Sequence, residues 1–278
     1  MSHTAKTPPV AKGSNNLPVN AVDGTHGYDT DKSQYVVSVS NNWQDVGGGF
    51  GTPTVVYDDG AAVGNTEQIQ GDIPTSWKYL DTSLKGLVIG TSCTGIGSYA
   101  FYYCGNLTGG LIIPDSVTSI GSYAFNYCQS FTSLTLGENL TSIGDNSFSY
   151  GYGFTGDLVI PDSVTSIGEY AFNDCAFDGT LTLPNNPNFT TIELSVFSYC
   201  GSLVGNLVIP DSVTTIGGNA FAYCSSLTSV NILATTAPTI GNNAFSNMAS
   251  VSPAVIHVPS GATGYAASYN GLTVVYDL

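Results

Sequence analysis

The sequence predicts a mainly β protein: a solenoid built on a parallel sheet, with short helical or 3-10 turns and a cap at each end. Three observations predict it. A unit reading Ile113-Pro-Asp-Ser-Val-Thr-Ser-Ile120-Gly-Ser-Tyr-Ala-Phe125-Asn-Tyr-Cys128 returns, slightly altered, along most of the 278 residues. Its second isoleucine falls at 96, 120, 143, 167, 192, 216 and 240, at spacings of 24, 23, 24, 25, 24 and 24, with a phenylalanine five residues after each. A fixed period of this size marks units that bury their apolar faces only by stacking on their neighbours. The third observation is that 9% of residues are charged and 42% are hydrophobic, so backbone hydrogen bonds and stacked apolar columns must hold the chain, with few salt bridges.

Taken in order, residues 1–34 (Thr7-Pro-Pro, Gly13-Ser-Asn-Asn, Asp23-Gly-Thr-His-Gly) have the composition of turns and linkers and are expected to form an extended arm. Residues 35–85 are expected to form a small β-rich anchoring region and N-terminal cap. Alternation in Tyr35-Val-Val-Ser-Val39 and Pro53-Thr-Val-Val-Tyr57 reads as strands, and Trp77 is the candidate to cover the open apolar end. The array itself runs over 86–254. The triplets Leu87–Ile89, Leu111–Ile113, Leu134–Leu136, Leu158–Ile160, Leu181–Leu183, Leu207–Ile209 and Val230–Ile232 keep register with the isoleucines. Period-two side chains turn their outer members inward and the middle one outward. Pro114, Pro161, Pro184 and Pro210 end these strands by removing a donor. The Tyr-Ala-Phe-x-x-Cys segment is expected to be a single helical or 3-10 turn carrying Ala, Phe and Cys into the core. Residues 255–278 break the pattern and are expected to cap the array, closing on Thr273-Val-Val-Tyr-Asp277. The same pentapeptide stands at 54–58, which reads either as a chance recurrence of strand-forming residues or as two strands at equivalent edges that could support end-to-end contacts between copies.

The LxLxIPxSVTxIGxxAFxxC unit resembles the BspA-type leucine-rich repeat over residues 86–270, and Val258-Pro-Ser-Gly to Tyr265 resembles that family's terminal repeat. The resemblance implies a leucine-rich-repeat solenoid that works in adhesion or recognition without catalysis.

Charge narrows the partners. Lys6, Lys12, Lys32, Lys78 and Lys85 are the only basic residues apart from three histidines, and residues 86–278 carry eleven Asp and Glu with no Lys or Arg. Such a field repels phosphate backbones, so nucleic acid is excluded as a partner. No apolar run reaches the roughly 18–20 residues of a spanning helix, and the start has no apolar run of signal-peptide length, so neither membrane insertion nor Sec export is expected. A place outside the cell or on a virion surface, reached by another route, is the expectation. Catalysis finds no motif: His3, His26 and His257 stand apart in the sequence, no cofactor is expected, and His257 is expected to face solvent on the last strand.

In a solenoid each sequence position becomes a column. Cys104, Cys128, Cys175, Cys200 and Cys224 share one, with Gly151 and Met248 in its other places. An odd count favours free thiols in a small buried slot over bridges or a metal. Asp115, Glu138, Asp162, Asn185 and Asp211 share a turn position that reads either as a calcium ladder or as local caps on backbone amides. Paired hydroxyls such as Thr118/Ser119 and Thr141/Ser142 raise ice binding, although each pair sits where the chain bends. The candidate ligand surface is aromatic: Tyr103, Tyr127, Tyr150, Tyr199 and Tyr223 precede the cysteine position, and Tyr99, Tyr123 and Tyr170 precede Ala-Phe. These rings either offer a stacking surface to a sugar or protein, or stack on one another over the core edge. The expected function is therefore recognition of a glycan or protein on a cell or particle surface. The alternative is a phage fibre or capsid decoration protein, with copies assembled through residues 1–85.

Overall fold

The computed structural model describes residues 93–248 and 255–278 throughout, and before them the strands His26–Asp29, Gln34–Val37, Thr54–Tyr57, Ala62–Val63 and Gly86–Ile89. Trp43, Trp77 and most of the expected arm lie outside the described residues.

Each repeat crosses the body twice as strand and returns through a turn. The first crossing is the Leu-x-Leu segment. Gly109–Ile112 pairs in parallel with Phe131–Thr135, Leu158–Val159 with Leu181–Thr182, and Gly205–Ile209 with Leu227–Ile232. Leu111 and Ile113 are buried while Ile112 between them is 64% exposed, as period-two pleating demands. The second crossing is the Thr/Ser-Ile pair. Gly95–Ile96, Ser119–Ile120, Ser142–Ile143 and Ser166–Ile167 form one parallel ladder, and Thr191–Ile192, Thr215–Ile216 and Thr239–Ile240 form another. No strand pairing joins the two ladders. The break falls between Ile167 and Ile192, where the spacing of 25 residues is the longest in the array.

The core is one continuous cluster. Phe101, Phe125, Phe148, Phe172, Phe197, Phe221 and Phe245 stack in a single file, with successive ring centroids 5.1–5.8 Å apart and planes within 9°. Beside them runs a second file, Leu107, Phe131, Phe154, Phe177, Leu203 and Leu227, all buried. Glycine after each of the seven isoleucines except Ile192, which Glu193 follows, permits this spacing. A Cβ on Gly144 would stand 2.5 Å from the Ser122 amide nitrogen, and one on Gly121 2.3 Å from that of Ser98.

Thr54–Tyr57 pairs in parallel with Gly86–Ile89 in a two-stranded sheet, and Leu272–Tyr276 pairs in parallel with Val255–Val258 in a separate five-stranded one. The second of these folds back as a hairpin. Ser268–Tyr269 pairs antiparallel with it and the Val274 amide donates to Ala267, so half of its outer edge is covered. Tyr265 pins the cap by donating its hydroxyl to the Ala234 carbonyl at 2.7 Å.

Candidate functional site

The Tyr-Ala-Phe-x-x-Cys segment forms consecutive short turns that never extend into a helix. In the first full repeat the Ala100, Tyr102 and Cys104 amides bond back to Gly97, Tyr99 and Phe101, the spacing of a 3-10 turn. The intervening amides of Tyr99, Phe101 and Tyr103 bond forward instead, to Ser122, Ala124 and Asn126 of the next repeat at 2.9, 2.7 and 2.8 Å. Turning alternate amides outward requires left-handed backbone, and the tyrosines supply it. Tyr99, Tyr103, Tyr123, Tyr127, Tyr150, Tyr170, Tyr199 and Tyr223 all have φ between 58° and 64°. Where these two columns lack tyrosine they carry Asn146, Asp174, Ser195, Asn219, Asn243 or Asn247, also left-handed. Asn and Asp adopt this conformation most readily among residues with a side chain, whereas tyrosine carries a cost of about 1 kcal/mol.

That backbone brings seven of the eight predicted tyrosines into three runs of stacked rings. Tyr99 stacks on Tyr123 at 4.9 Å, Tyr103 on Tyr127 at 4.4 Å, Tyr127 on Tyr150 at 4.2 Å, and Tyr199 on Tyr223 at 4.5 Å. Among the described residues no ring stacks on Tyr170. Ring faces are therefore turned toward each other along the column. Tyr99, Tyr103, Tyr199 and Tyr223 are 43–54% exposed. Desolvation, then the phenols of Tyr150 and Tyr103 on either side, push the Tyr127 hydroxyl up to about 12.

The column breaks at Asp174. Here Tyr152, which sequence reasoning did not single out, reaches over from the preceding repeat and donates its hydroxyl to Asp174 Oδ2 at 3.0 Å. Its ring stands edge-on to Tyr150, 6.2 Å away at 68°. Desolvation and the bond to Asp174 push the Tyr152 hydroxyl up to about 12.

The other columns serve the backbone. Cys128, Cys175, Cys200 and Cys224 each donate Sγ–H to the phenylalanine carbonyl one repeat back, Phe101, Phe148, Phe172 and Phe197, at 3.0–3.1 Å. All six cysteines are free, and burial pushes Cys104 and Cys200 up to about 12 and Cys128, Cys175 and Cys224 well above the ordinary range. Gly151 takes the cysteine place in the third repeat because a Cβ there would meet the Phe154 ring at 2.5 Å.

Asp115 and Asp162 accept from amides, as the capping reading has it, but the amides belong to the next repeat. Glu138 donates to Asp115 and Asn185 to Asp162, each at 2.8 Å. Among the described residues no group of three or more His, Cys, Asp or Glu is placed to hold a metal ion. Thr118, Thr141, Thr165 and Thr214 donate their hydroxyls to the threonine carbonyl of the preceding repeat at 2.8–3.2 Å. His257 is not simply solvated: its Nδ1 lies 2.7 Å from Asp277 Oδ1, across two paired strands. Asp145 and Glu169, successive members of one column, and Glu193, which directly follows Ile192, rim an open groove of about 600 Å³ along Ile120, Ile143 and Ile167; the sequence reading passed over all three.

Comparison with known proteins follows the same residues. The chain resembles a T. pallidum leucine-rich repeat protein at 19% identity, over 81% of this chain and 86% of that one, with a TM-score of 0.40. It resembles a leucine-rich repeat protein from Bacteroides ovatus at 21% identity, over 59% of each chain, with a TM-score of 0.30. A leucine-rich cell surface protein from Faecalibacterium prausnitzii aligns at 18% identity over 95% of this chain and 100% of that one, with a TM-score of 0.27. No curated protein matches the chain. The model of the BspA type leucine rich repeat region matches in six copies, over residues 76–155, 94–203 and 154–264. With more than half of its length so matched and its repeats wound into a parallel solenoid, the chain belongs to the BspA-type leucine-rich repeat family.

Proposed function

We propose that this protein is a non-enzymatic recognition module, and that its tyrosine ladder contacts a protein or glycan on a cell or particle surface. One observation carries the reading. Asparagine fills the same left-handed places at lower backbone cost, yet eight of them hold tyrosine. Stacking returns about 0.5–1.5 kcal/mol per pair, which only offsets the strain, and Tyr170 carries the strain with no ring stacked on it. Stability alone therefore gives no reason for tyrosine. A row of part-exposed phenols, on an array without a single Lys or Arg from residue 86 onward, suits recognition by hydrogen bonding and edge contact. The family places such repeats in binding proteins, and location outside the cell or on a particle accords with it.

The test replaces Tyr99, Tyr103, Tyr123 and Tyr127 together with Asn, the residue that the array itself uses at these positions. Wild type and variant are applied to arrayed glycans and arrayed purified surface proteins, with circular dichroism confirming the fold. Signals seen with wild type should vanish in the variant. A folded variant that keeps the same signals sinks the reading.

The second reading is a structural virion component whose copies assemble through residues 1–85. The shared Thr-Val-Val-Tyr sequence of strands Thr54–Tyr57 and Leu272–Tyr276, each paired in parallel with a repeat strand, favours it. The hairpin over half of the C-terminal edge weighs against strand-to-strand addition there. Size exclusion with light scattering separates the two, since a stable ring, trimer or filament speaks for assembly and a monomer speaks for the recognition module.

A further inference from the structure

We infer that the single gap in the longer tyrosine column is a binding slot for the cationic head of an Arg or Lys side chain presented by a protein partner. The column runs Tyr103, Tyr127, Tyr150, Asp174, Tyr199, Tyr223. Within it each ring is stacked on the next except at Asp174, so one face of Tyr150 and one face of Tyr199 carry no stacked ring among the described residues. Two repeat steps separate these faces. The neighbouring phenylalanine file measures the steps across the same gap: Phe148 to Phe172 is 5.1 Å and Phe172 to Phe197 is 5.7 Å. Their sum leaves room for one planar or tetrahedral cation between two aromatic faces, each within about 6 Å of it.

The gap and its walls have matching chemistry. Asp174 takes the ring's place in the column with the same left-handed backbone and a shorter side chain, partly exposed. One of its oxygens takes the Tyr152 hydroxyl, and its Oδ1 accepts no hydrogen bond from the described residues. No Lys or Arg exists anywhere from residue 86 onward, so the array supplies no counterion of its own. Tyr152 makes a third wall, set edge-on to Tyr150. It is held between two glycines that tolerate no Cβ: at Gly151 it would meet Phe154 at 2.5 Å, and at Gly153 the Gln129 and Phe131 carbonyls at 2.5 Å. The fourth repeat also reaches Phe177 one residue sooner after its cysteine than its neighbours do, which leaves less chain beside Asp174. Aromatic faces attract cations through the ring quadrupole, and a carboxylate between them adds charge and a hydrogen-bond acceptor. The partner class follows from complementarity: a basic side chain brings the charge that the acidic array lacks.

The slot names a partner for the recognition surface proposed above, but its affinity for a cation is measured without any partner. The ladder variant of that section also leaves Tyr150, Tyr152, Asp174 and Tyr199 intact, so the two ideas fail separately. Acetyl-arginine amide, acetyl-lysine amide and tetramethylammonium are each titrated into protein carrying ¹³C-labelled tyrosine. For either amino-acid amide, saturable shifts should appear at the ring signals that disappear on Tyr150→Asn, Tyr152→Phe or Tyr199→Asn. Affinity should fall at least tenfold in Asp174→Asn and in Tyr199→Asn, and stay within twofold in Glu193→Gln. Asparagine occupies the same left-handed positions elsewhere in the array, so these variants retain the fold. Non-saturable shifts, an equal loss in Glu193→Gln, or binding of tetramethylammonium alone would each overturn the assignment.

Discussion

At the scale of the residue, the same side chain type recurs because each copy meets the same backbone one turn away. Cysteine is the clearest case. It fills a small apolar slot and offers a weak donor to a carbonyl that already accepts an amide, Phe101 taking both the Cys104 amide and the Cys128 thiol. Burial holds these thiols protonated, so with a thiol reagent at neutral pH the native protein should show at most the half-buried Cys104 reacting, and all six sites in denaturant. Fast labelling of several native thiols would refute the buried slot. The same shifts set a pH dependence. Thiols raised from 9.0 to about 12, and the Tyr127 phenol raised from 10.0 to about 12, keep their protons longer in the folded state than in the unfolded one. Across that window the unfolded state binds fewer protons, so stability falls as pH rises. Thermal melts should show Tm unchanged up to about pH 8 and falling steadily from about pH 9 toward 12; a Tm constant across that window would contradict it. Sequence alone showed cysteine as a column but not its acceptor, since the pair lies 27 residues apart in the chain.

At the scale of the element, the turn segment departs most from its sequence reading. Ala-Phe-x-x-Cys has the look of one helical turn, and its amides do make the back-bonds of one. Left-handed residues at every tyrosine place then aim the remaining amides at the next repeat, which no isolated segment rewards. A trace of this was legible: one column exchanges Tyr123 for Asn146, Asn219 and Asn243, and Tyr/Asn/Asp interchange at a fixed turn position signals positive φ. The isoleucine-glycine step is equally a contact between elements. Gly144→Ala should destabilise by about 1–3 kcal/mol in urea unfolding, because its Cβ would enter the Gly121–Ser122 backbone. Gly105→Ala, with its nearest atom 3.5 Å away, should stay within about 0.5 kcal/mol. Equal effects would mean that glycine serves flexibility there and not close approach.

At the scale of the whole molecule, a solenoid leaves two open ends, and the described one is closed by a strand and a hairpin. Deleting residues 255–278 would bare the outer edge of Leu227–Ile232 and the end of the buried file at Val230 and Ile232. The truncated chain should aggregate in dynamic light scattering and lose its sharp thermal transition. If it stays monomeric with an unchanged Tm, the terminal repeat is not a cap. The sequence by itself determined the architecture: period, strand triplets, isoleucine and phenylalanine columns and an atypical last repeat are all carried by residue types at fixed spacing, and spacing is what stacking needs. Only the tertiary structure decided what each column faces. Left-handed tyrosines stacked face to face, aspartates capping amides one repeat on, and a ring missing at Asp174 between Tyr150 and Tyr199 are contacts between residues about one repeat or more apart. Their partners are chosen by the winding of the chain, because a side chain in a solenoid meets its neighbours across turns and seldom along them.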